Sequence, residues 1–592
     1  MQSIAPTPAA PMAPLWKPPV PETLEKPDNA ARATFKALLN CYIREVSPGS
    51  LLSTDRNEPP LLDFDLPSGF TRLRVEITYW SLTGPHDFGE AKLYDLARQV
   101  WRRTSIDEVI PLLVTACFAQ MPEVGKDKML ELLRRILNSY DQISKGTRNA
   151  IAPHANFLSA EQGLHFGHWL HPTPKSREGM TDWHQKAYAP EYNGEFQLHY
   201  FAADECIVKS DAASARRVRE IIMDIPGLDP NILASDEALI PMHPLQAEAL
   251  RLEPWVKDLI KTGQLRDLGP AGELFAATSS VRTVFSPRCP WMLKFSLPVK
   301  ITNSHRVNLF HELEAGVVMA RLLDKLPPLP SNFRIINDPA YVTLSQPDLR
   351  ETGFEVILRE NPFMGNAAEG IVTVAALTAD PLDGEQSMLA RIIMSTARTQ
   401  NCLPSKMAKQ WFDAYLECAL KPALALYDRS GIALEAHQQN SLLDVKSGLP
   451  TCYYFRDNQG YYIAESRLEA LAAREPQLRE IDGLCFSETE INQRYCYYLF
   501  VNQIFSVISR LGRDGFVDEA ALMAQLRACL EDIATGMNGP AATFINFVLT
   551  SPELSAKANL LTRIHDVDEL QAEDEKAVYT RLPNPLAIEA KG

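Results

Sequence analysis

Residues 277–306 read ATSSVRTVFSPRCPWMLKFSLPVKITNSHR. Two strand-like runs, ATSSVRTVF and WMLKFSL, flank the turn-prone SPRCP, which is the pattern of a β-hairpin. A hairpin that closes with Phe285 opposite Trp291 sets Arg282 directly opposite Lys294. Like charges facing each other across strands are destabilising unless something negative lies between them, and a bound phosphate would supply that charge. Ser280 falls on the same strand face as Arg282, while Ser279 and Thr283 point the other way or line the strand end. Hydroxyls beside paired cations suit phosphate oxygens. From Leu274 to His311 there is no Asp or Glu, although Arg282, Arg288, Lys294, Lys300, His305, Arg306 and His311 all occur. A charge run is usually a solvated face; the cross-strand cations and their hydroxyl neighbours shift that balance toward a ligand.

Working outward, the segment 156–375 is a succession of short β-rich pieces broken by Pro and Gly, among them FEVILREN. Before it, helical periodicity covers 29–45 and 86–149, with Met129, Leu130, Leu132, Leu133, Ile136 and Leu137 as one example. Between these, Leu73, Val75, Ile77 and Tyr79 alternate with polar residues as a half-buried strand does. Beyond 376, long helical patterns return, with a hairpin expected in YYFRDNQGYYIAES. A chain of 592 residues exceeds one core, and roughly two to four domains are expected. The expected division is a Pro-rich leader at 1–28, an α+β unit at 29–155, a β-rich unit at 156–375 and a mainly helical unit at 376–592. The fold class is α+β.

Composition removes several functions. A formal charge of −15 argues against general nucleic-acid binding, so any anionic ligand must meet a local basic site. The longest apolar runs, such as Tyr497–Ile508, fall short of the roughly 20 residues that span a bilayer, and the N-terminus lacks a secretory pattern. No membrane association and a cytoplasmic location are the expectations. The ten cysteines are scattered without C-x-x-C spacing, which favours reduced thiols over disulfides, zinc ribbons or iron–sulfur clusters. P-loop, protein-kinase, Rossmann and G-x-S-x-G signatures are missing.

Two further clusters carry polar chemistry. In GLHFGHWLHPTPKSREG, His165, His168 and His171 recur every three residues; a helix would fan them around its axis, so a metal site is disfavoured. Lys175 and Arg177 are cations apt for carboxylates, with a surface turn as the plainer reading. In GIALEAHQQNSLL, an extended strand puts Glu435, His437 and Gln439 on one face, and burial would oblige all three to find partners. Asn440 ends that run. Asp457 lies at the tip of the expected later hairpin; with Glu435 it offers the hard oxygen ligands that magnesium needs beside a triphosphate.

Taken in order, HPTPKSREG (171–179), MHPLQAEAL (242–250), ATSSVRTV (277–284), LKFSLPVKITNSHR (293–306), EAHQQN (435–440) and, more weakly, SPELSAKANLLTR (551–563) closely resemble the NRPS-independent siderophore synthetases, the IucA/IucC family. The resemblance covers about residues 155–563. It implies a cupped hand, with thumb, β-rich fingers and helical palm around a central cleft, in a chain that forms homodimers. It implies that Ser280, Arg282, Thr283 and Lys294 hold the phosphates of ATP, with His437, Gln439 and Asn440 close to the same ligand. Glu435 and Asp457 would bind Mg2+, and His171, Thr302, Arg306 and Lys557 would take the carboxylates of citrate or a related polycarboxylic acid.

The implied reaction is adenylation of a carboxylate followed by capture with an amine or alcohol, releasing AMP and pyrophosphate. Arg282, Lys294, Arg306 and His437 are the catalytic candidates. A small-molecule kinase or other ATP-dependent ligase, and a noncatalytic siderophore-binding protein, are the alternatives. A reductase is least supported for want of a cysteine cluster. HPTPKSREG favours free citrate over 2-oxoglutarate or a monoacylated citrate, whereas the nucleophile is not legible.

Overall fold

The computed structural model of the chain describes residues 28–52, 58–66, 71–565 and 579–587. The expected leader lies outside them, apart from Asp28. That side chain accepts the Ala30 N–H at 2.9 Å and so caps the first helix, Asn29–Glu45. The alternating segment forms the central strand, Thr71–Tyr79, of a five-stranded antiparallel sheet. Its Leu73, Val75 and Ile77 face a core shared with Phe35 and Leu39 of the first helix and with Leu132 and Ile136 of Lys126–Thr147. Helical periodicity over 86–149 is correct only from Ile106 onward. Asp87–Asp95 and Val100–Arg103 are strands of the same sheet, because Ala91 and Leu93 bury at spacing two against Val75 and Leu73.

The middle of the chain builds an eight-stranded antiparallel sheet. Its order is Val208–Ala212, Ala340–Leu344, Val356–Glu360, Trp291–Phe295, Thr283–Phe285, Leu265–Ala277, Glu195–Asp204 and Glu237–Met242. The expected hairpin is there, but slipped by one residue: Thr283, not Arg282, stands opposite Lys294, and Val284 opposite Leu293. A slip of one exchanges the two faces of a strand. Residues 278–282 are therefore not strand, and Ser280 and Arg282 do not share a strand face. They form a turn in which Val281 N–H donates to Thr278 O at 2.9 Å and Val281 takes a φ of +67°. For a β-branched residue that conformation is strained, and it is held by the surrounding hydrogen bonds.

The helix Phe310–Asp324 leads to two further sheets. In the first, Phe333–Ile336 runs parallel to Cys452–Arg456, which pairs with Ser441–Asp444. In the second, Ile432–Leu434 and Tyr461–Ala464 pair antiparallel. The segment YYFRDNQGYYIAES is thus not a hairpin. Its two strands are buried along their whole length and enter different sheets, so D-N-Q-G is a crossover. Around them pack the helices Met388–Thr399, Pro404–Tyr415, Glu519–Ala534 and Pro540–Thr550. A continuous helical rod, Glu488–Arg513, widens into π-type turns over Cys496–Ile504. None of the described helices is long and apolar enough to cross a membrane.

Charge ties the first unit to the last. Lys36 meets Asp87 at 2.7 Å and Asp380 at 2.6 Å, while Arg513 meets Asp87 at 2.7 Å and Asp380 at 2.8 Å. Burial raises both carboxyls, but Arg513 and Lys36 outweigh it and hold them below the usual carboxylate range. Carboxylates depressed in the folded state stabilise it fully above their unfolded pKa of about 4, and that contribution is lost as pH falls through the folded values. Thermal denaturation should therefore show Asp380→Asn lowering Tm at pH 7, with the difference from the parent shrinking below about pH 3.

Candidate active site

A cavity of about 360 Å³ opens where the eight-stranded sheet meets the two later sheets and the helical rod. Seven Lys and Arg side chains line it against four Asp and Glu, in a protein whose net charge is −15. Lys294 projects from the strand Trp291–Phe295 and is buried; its Nζ donates to Asp457 Oδ1 at 3.1 Å and to Asn458 Oδ1. Arg282, also buried, donates to Asn308 Oδ1 at 2.9 Å and Val307 O at 3.3 Å, and no carboxylate of the described residues pairs with it. Burial pushes both cations down; Glu312 and Asp457 oppose this at Arg282, and Asp457 opposes it at Lys294. A buried guanidinium without an ion pair is electrostatically prepared for an anion.

The facing wall comes from 435–440 and 457–462. After the strand Ile432–Leu434 the chain leaves the sheet, so Glu435, His437 and Gln439 sit on a loop and a turn, not on an extended strand. All three nonetheless reach the cavity, while Gln438 is buried with its N–H on Asn502 Oδ1 at 3.0 Å. Asn502 belongs to the widened turns of the helical rod, which also present Tyr498 to the cavity. Gly460 allows the close approach of the crossover. A Cβ there would lie 3.0 Å from Phe455 Cζ, 3.1 Å from Glu435 Cβ and 3.2 Å from Asp457 Cβ.

His437 Nδ1 accepts the N–H groups of Gln439 at 3.2 Å and Asn440 at 3.3 Å. Backbone N–H groups only donate, so the neutral ring carries its proton on Nε2, which lies 4.0 Å from Glu435 Oε1. Burial pushes the imidazole down to about 3, which keeps it neutral. Glu435 moves the other way: burial, then Asp457, push it up to about 7, opposed by Lys557 and by the Tyr462 hydroxyl at 2.9 Å. Burial raises Asp457 as well, but Lys294 and Arg359 outweigh it and hold that carboxyl below its usual range.

Glu435, raised by burial and by Asp457, and Asp457 itself are hard oxygen donors of the kind a divalent cation takes. Among the described residues no group of three or more His, Cys, Asp or Glu could hold a metal alone. Ligand oxygens would have to complete the coordination of such an ion.

Of the residues singled out from the sequence, Ser280, Arg282, Thr283, Lys294, Arg306, Glu435, His437, Gln439, Asn440, Asp457 and Lys557 line this one cavity. Thr302 and His171 do not. Thr302, at φ +54°, accepts a hydrogen bond from Arg306 Nη2 at 3.4 Å. His171 is buried, its Nδ1 accepting Thr173 N–H at 3.1 Å. The segment through His165, His168 and His171 is a run of turns. Lys175 and Arg177 are also buried, meeting Glu191 at 3.4 and 2.7 Å; an internal carboxylate occupies them. Sequence reading missed Arg359, Arg456, Tyr462 and Tyr498, all cavity-lining. Arg456 stands beside Asp457, and that adjacency was the available signal; the others lie in apolar runs that read as core.

A cation-lined cleft is built jointly by the large antiparallel sheet and the later sheets with their helices. The chain belongs to the IucA/IucC family. The model described as IucA / IucC family matches residues 156–379, and one described as ferric iron reductase FhuF-like transporter matches 409–572. Arg282 and Lys294 come from the first stretch and Glu435, His437 and Asp457 from the second, so the two matched stretches form one site. The spermidine-citrate ligase of Bacillus anthracis is 36% identical, with 95% of this chain and 98% of that protein covered. The rhizobactin siderophore biosynthesis protein RhbC of Rhizobium meliloti is 35% identical, with 94% and 98% covered. The structure of ATP-bound aerobactin synthetase IucA from a hypervirulent pathotype of Klebsiella pneumoniae superposes with a TM-score of 0.84 at 25% identity, covering 94% of this chain and 99% of that one.

A pocket of this charge should take up a simple polyanion. Calorimetry with inorganic tripolyphosphate is expected to give binding that weakens with salt, and Arg282→Met to weaken it by about 10-fold or more.

Proposed function

We propose that the chain is a siderophore-biosynthesis ligase that activates a carboxylate of citrate with ATP and joins it to an amine or alcohol. The observation that carries this reading is the convergence of Arg282, Lys294 and Arg306 with His437 and Glu435 in one cavity. Two polyanions cannot share a site inside an acidic protein without such local cations. In this reading Ser280, Arg282, Thr283 and Lys294 bind the ATP phosphates, His437, Gln439 and Asn440 close over them, and Arg306 and Lys557 hold the acid. His171 and Thr302 are the remaining carboxylate-binding candidates, Thr302 acting through Arg306.

A carboxylate oxygen of the acid attacks the α-phosphorus, the bond to the bridging oxygen breaks, and pyrophosphate leaves. The amine or hydroxyl then attacks the acyl carbon, AMP departs, and one proton is released. Negative charge grows on the phosphoryl oxygens in the first step, and in this reading Arg282 and Lys294 stabilise it while the His437 Nε2–H adds a neutral donor. Glu435 and Asp457 would hold Mg2+, which when bound neutralises phosphate charge. Free citrate is the favoured acid. The assignment goes with a thumb at 29–155, fingers at 156–375, a palm at 376–592, a homodimer and a cytoplasmic location.

A reductase reading finds no support in the palm. Cys418 and Cys496 are buried thiols, pushed up to about 12 chiefly by that burial.

Incubation with ATP, each of several polycarboxylic acids and a panel of amines and alcohols tests the proposal. AMP and pyrophosphate should appear with citrate, in amounts matching the amide or ester formed. ADP instead would establish a kinase, and no turnover with any pair would leave only a binding protein. Arg282→Ala and His437→Ala should each lower kcat/KM by on the order of 10²-fold.

A further inference from the structure

Behind the cavity wall lies the short helix Phe157–Gln162, whose Glu161 is completely buried and does not reach the cavity. Its Oε2 accepts the Ser279 N–H at 2.8 Å and the Ser279 hydroxyl at 2.7 Å, and its Oε1 accepts Arg456 Nη2 at 2.6 Å. The same Nη2 donates to Gln439 O at 2.9 Å. Gln439 Nε2 in turn donates to Ser279 Oγ at 3.0 Å. The four residues close a hydrogen-bonded ring across segments separated by 118 and 295 positions in the chain. Phe157 backs it, with the Arg456 guanidinium 5.9 Å above its ring.

We infer that Glu161 is a positioning residue for the proposed nucleotide site, clamping the turn that carries Ser280 and Arg282 to the turn that carries His437 and Asn440. The inference rests on the reading above for the identity of the ligand, but not for the clamp itself. A buried ion pair is a poor source of stability compared with apolar packing, because desolvation consumes most of the attraction. What the ring supplies is fixed spacing. The Ser279 hydroxyl donates to Glu161 and accepts from Gln439, so it is used up within the clamp, in contrast to Ser280, whose side chain lines the cavity. Each cavity wall would otherwise be set by its own sheet, and a displacement of about 1 Å between phosphate-binding groups can cost on the order of 10²-fold in rate.

The test uses the full chain with Glu161→Gln, Ser279→Ala, Arg456→Lys and the Glu161→Gln/Ser279→Ala pair. Calorimetric ATP affinity should fall about 10-fold or more in Glu161→Gln and several-fold in Ser279→Ala, with the double variant no weaker than Glu161→Gln alone. Amide hydrogen exchange at Ser279 and across 438–440 should quicken in the same variants without any ligand present. A folded Glu161→Gln protein that binds ATP within about twofold of the parent and leaves those amides unchanged overturns the inference. If Glu161→Gln does not fold, Ser279→Ala and Arg456→Lys decide it by the same two measurements. Should the parent bind no ATP, the nucleotide assignment falls, and the exchange rates still decide the clamp.

Discussion

The contact between Lys294 and Asp457 holds the site in one piece. Lys294 stands on the eight-stranded sheet and Asp457 on the crossover between the two later sheets, so the ion pair spans the junction at which the cavity forms. Arg359, on the strand beside Lys294, forms a bidentate pair with Asp338 at 2.7 Å and lies 3.8 Å from Asp457. Three buried cations, Arg282, Lys294 and Arg359, are thus gathered around few carboxylates. Such a cluster persists only if its hydrogen-bonding capacity is met, and Asn308 and Asn458 meet much of it without adding charge.

That shortage of negative charge is what makes the cavity receptive. A fully neutralised network would be stable and inert. Here Asp457 accepts Lys294 on one oxygen and Asn440 on the other, whereas Arg282 has only neutral oxygens for partners. The opposite shifts of Glu435 and Asp457 follow from different balances: burial and Asp457 outweigh Lys557 at Glu435, whereas Lys294 and Arg359 outweigh burial at Asp457.

Rigidity around the cavity comes from irregular backbone held by regular neighbours. The Val281 conformation, the close approach at Gly460 and the widened turns at Cys496–Ile504 each depart from ideal geometry, and each lies against the site. Strain of this kind survives where the surroundings over-determine it. The two buried sheets and the hydrogen bond from Gln438 to Asn502 supply that constraint.

Residue types and local order settled a good deal. The strand Thr71–Tyr79, the helices after 376 and the acid-free stretch 274–311 were legible because hydrophobic period and charge are local properties. The motifs around Arg282, Lys294 and His437 were legible for the same reason. Register was not: the hairpin pairs one residue away from the expected register, because the connecting loop 286–290 sets the pairing and its residue types do not specify its geometry. Nor did sequence reveal that DNQG joins two sheets, since strands buried on both faces look alike whichever partner they take. It did not foresee that Lys175 and Arg177 would be occupied by Glu191, or that Glu161 would tie Ser279 to Arg456. Those pairings join distant positions, and only the packing of the sheets against one another brings them within hydrogen-bonding reach.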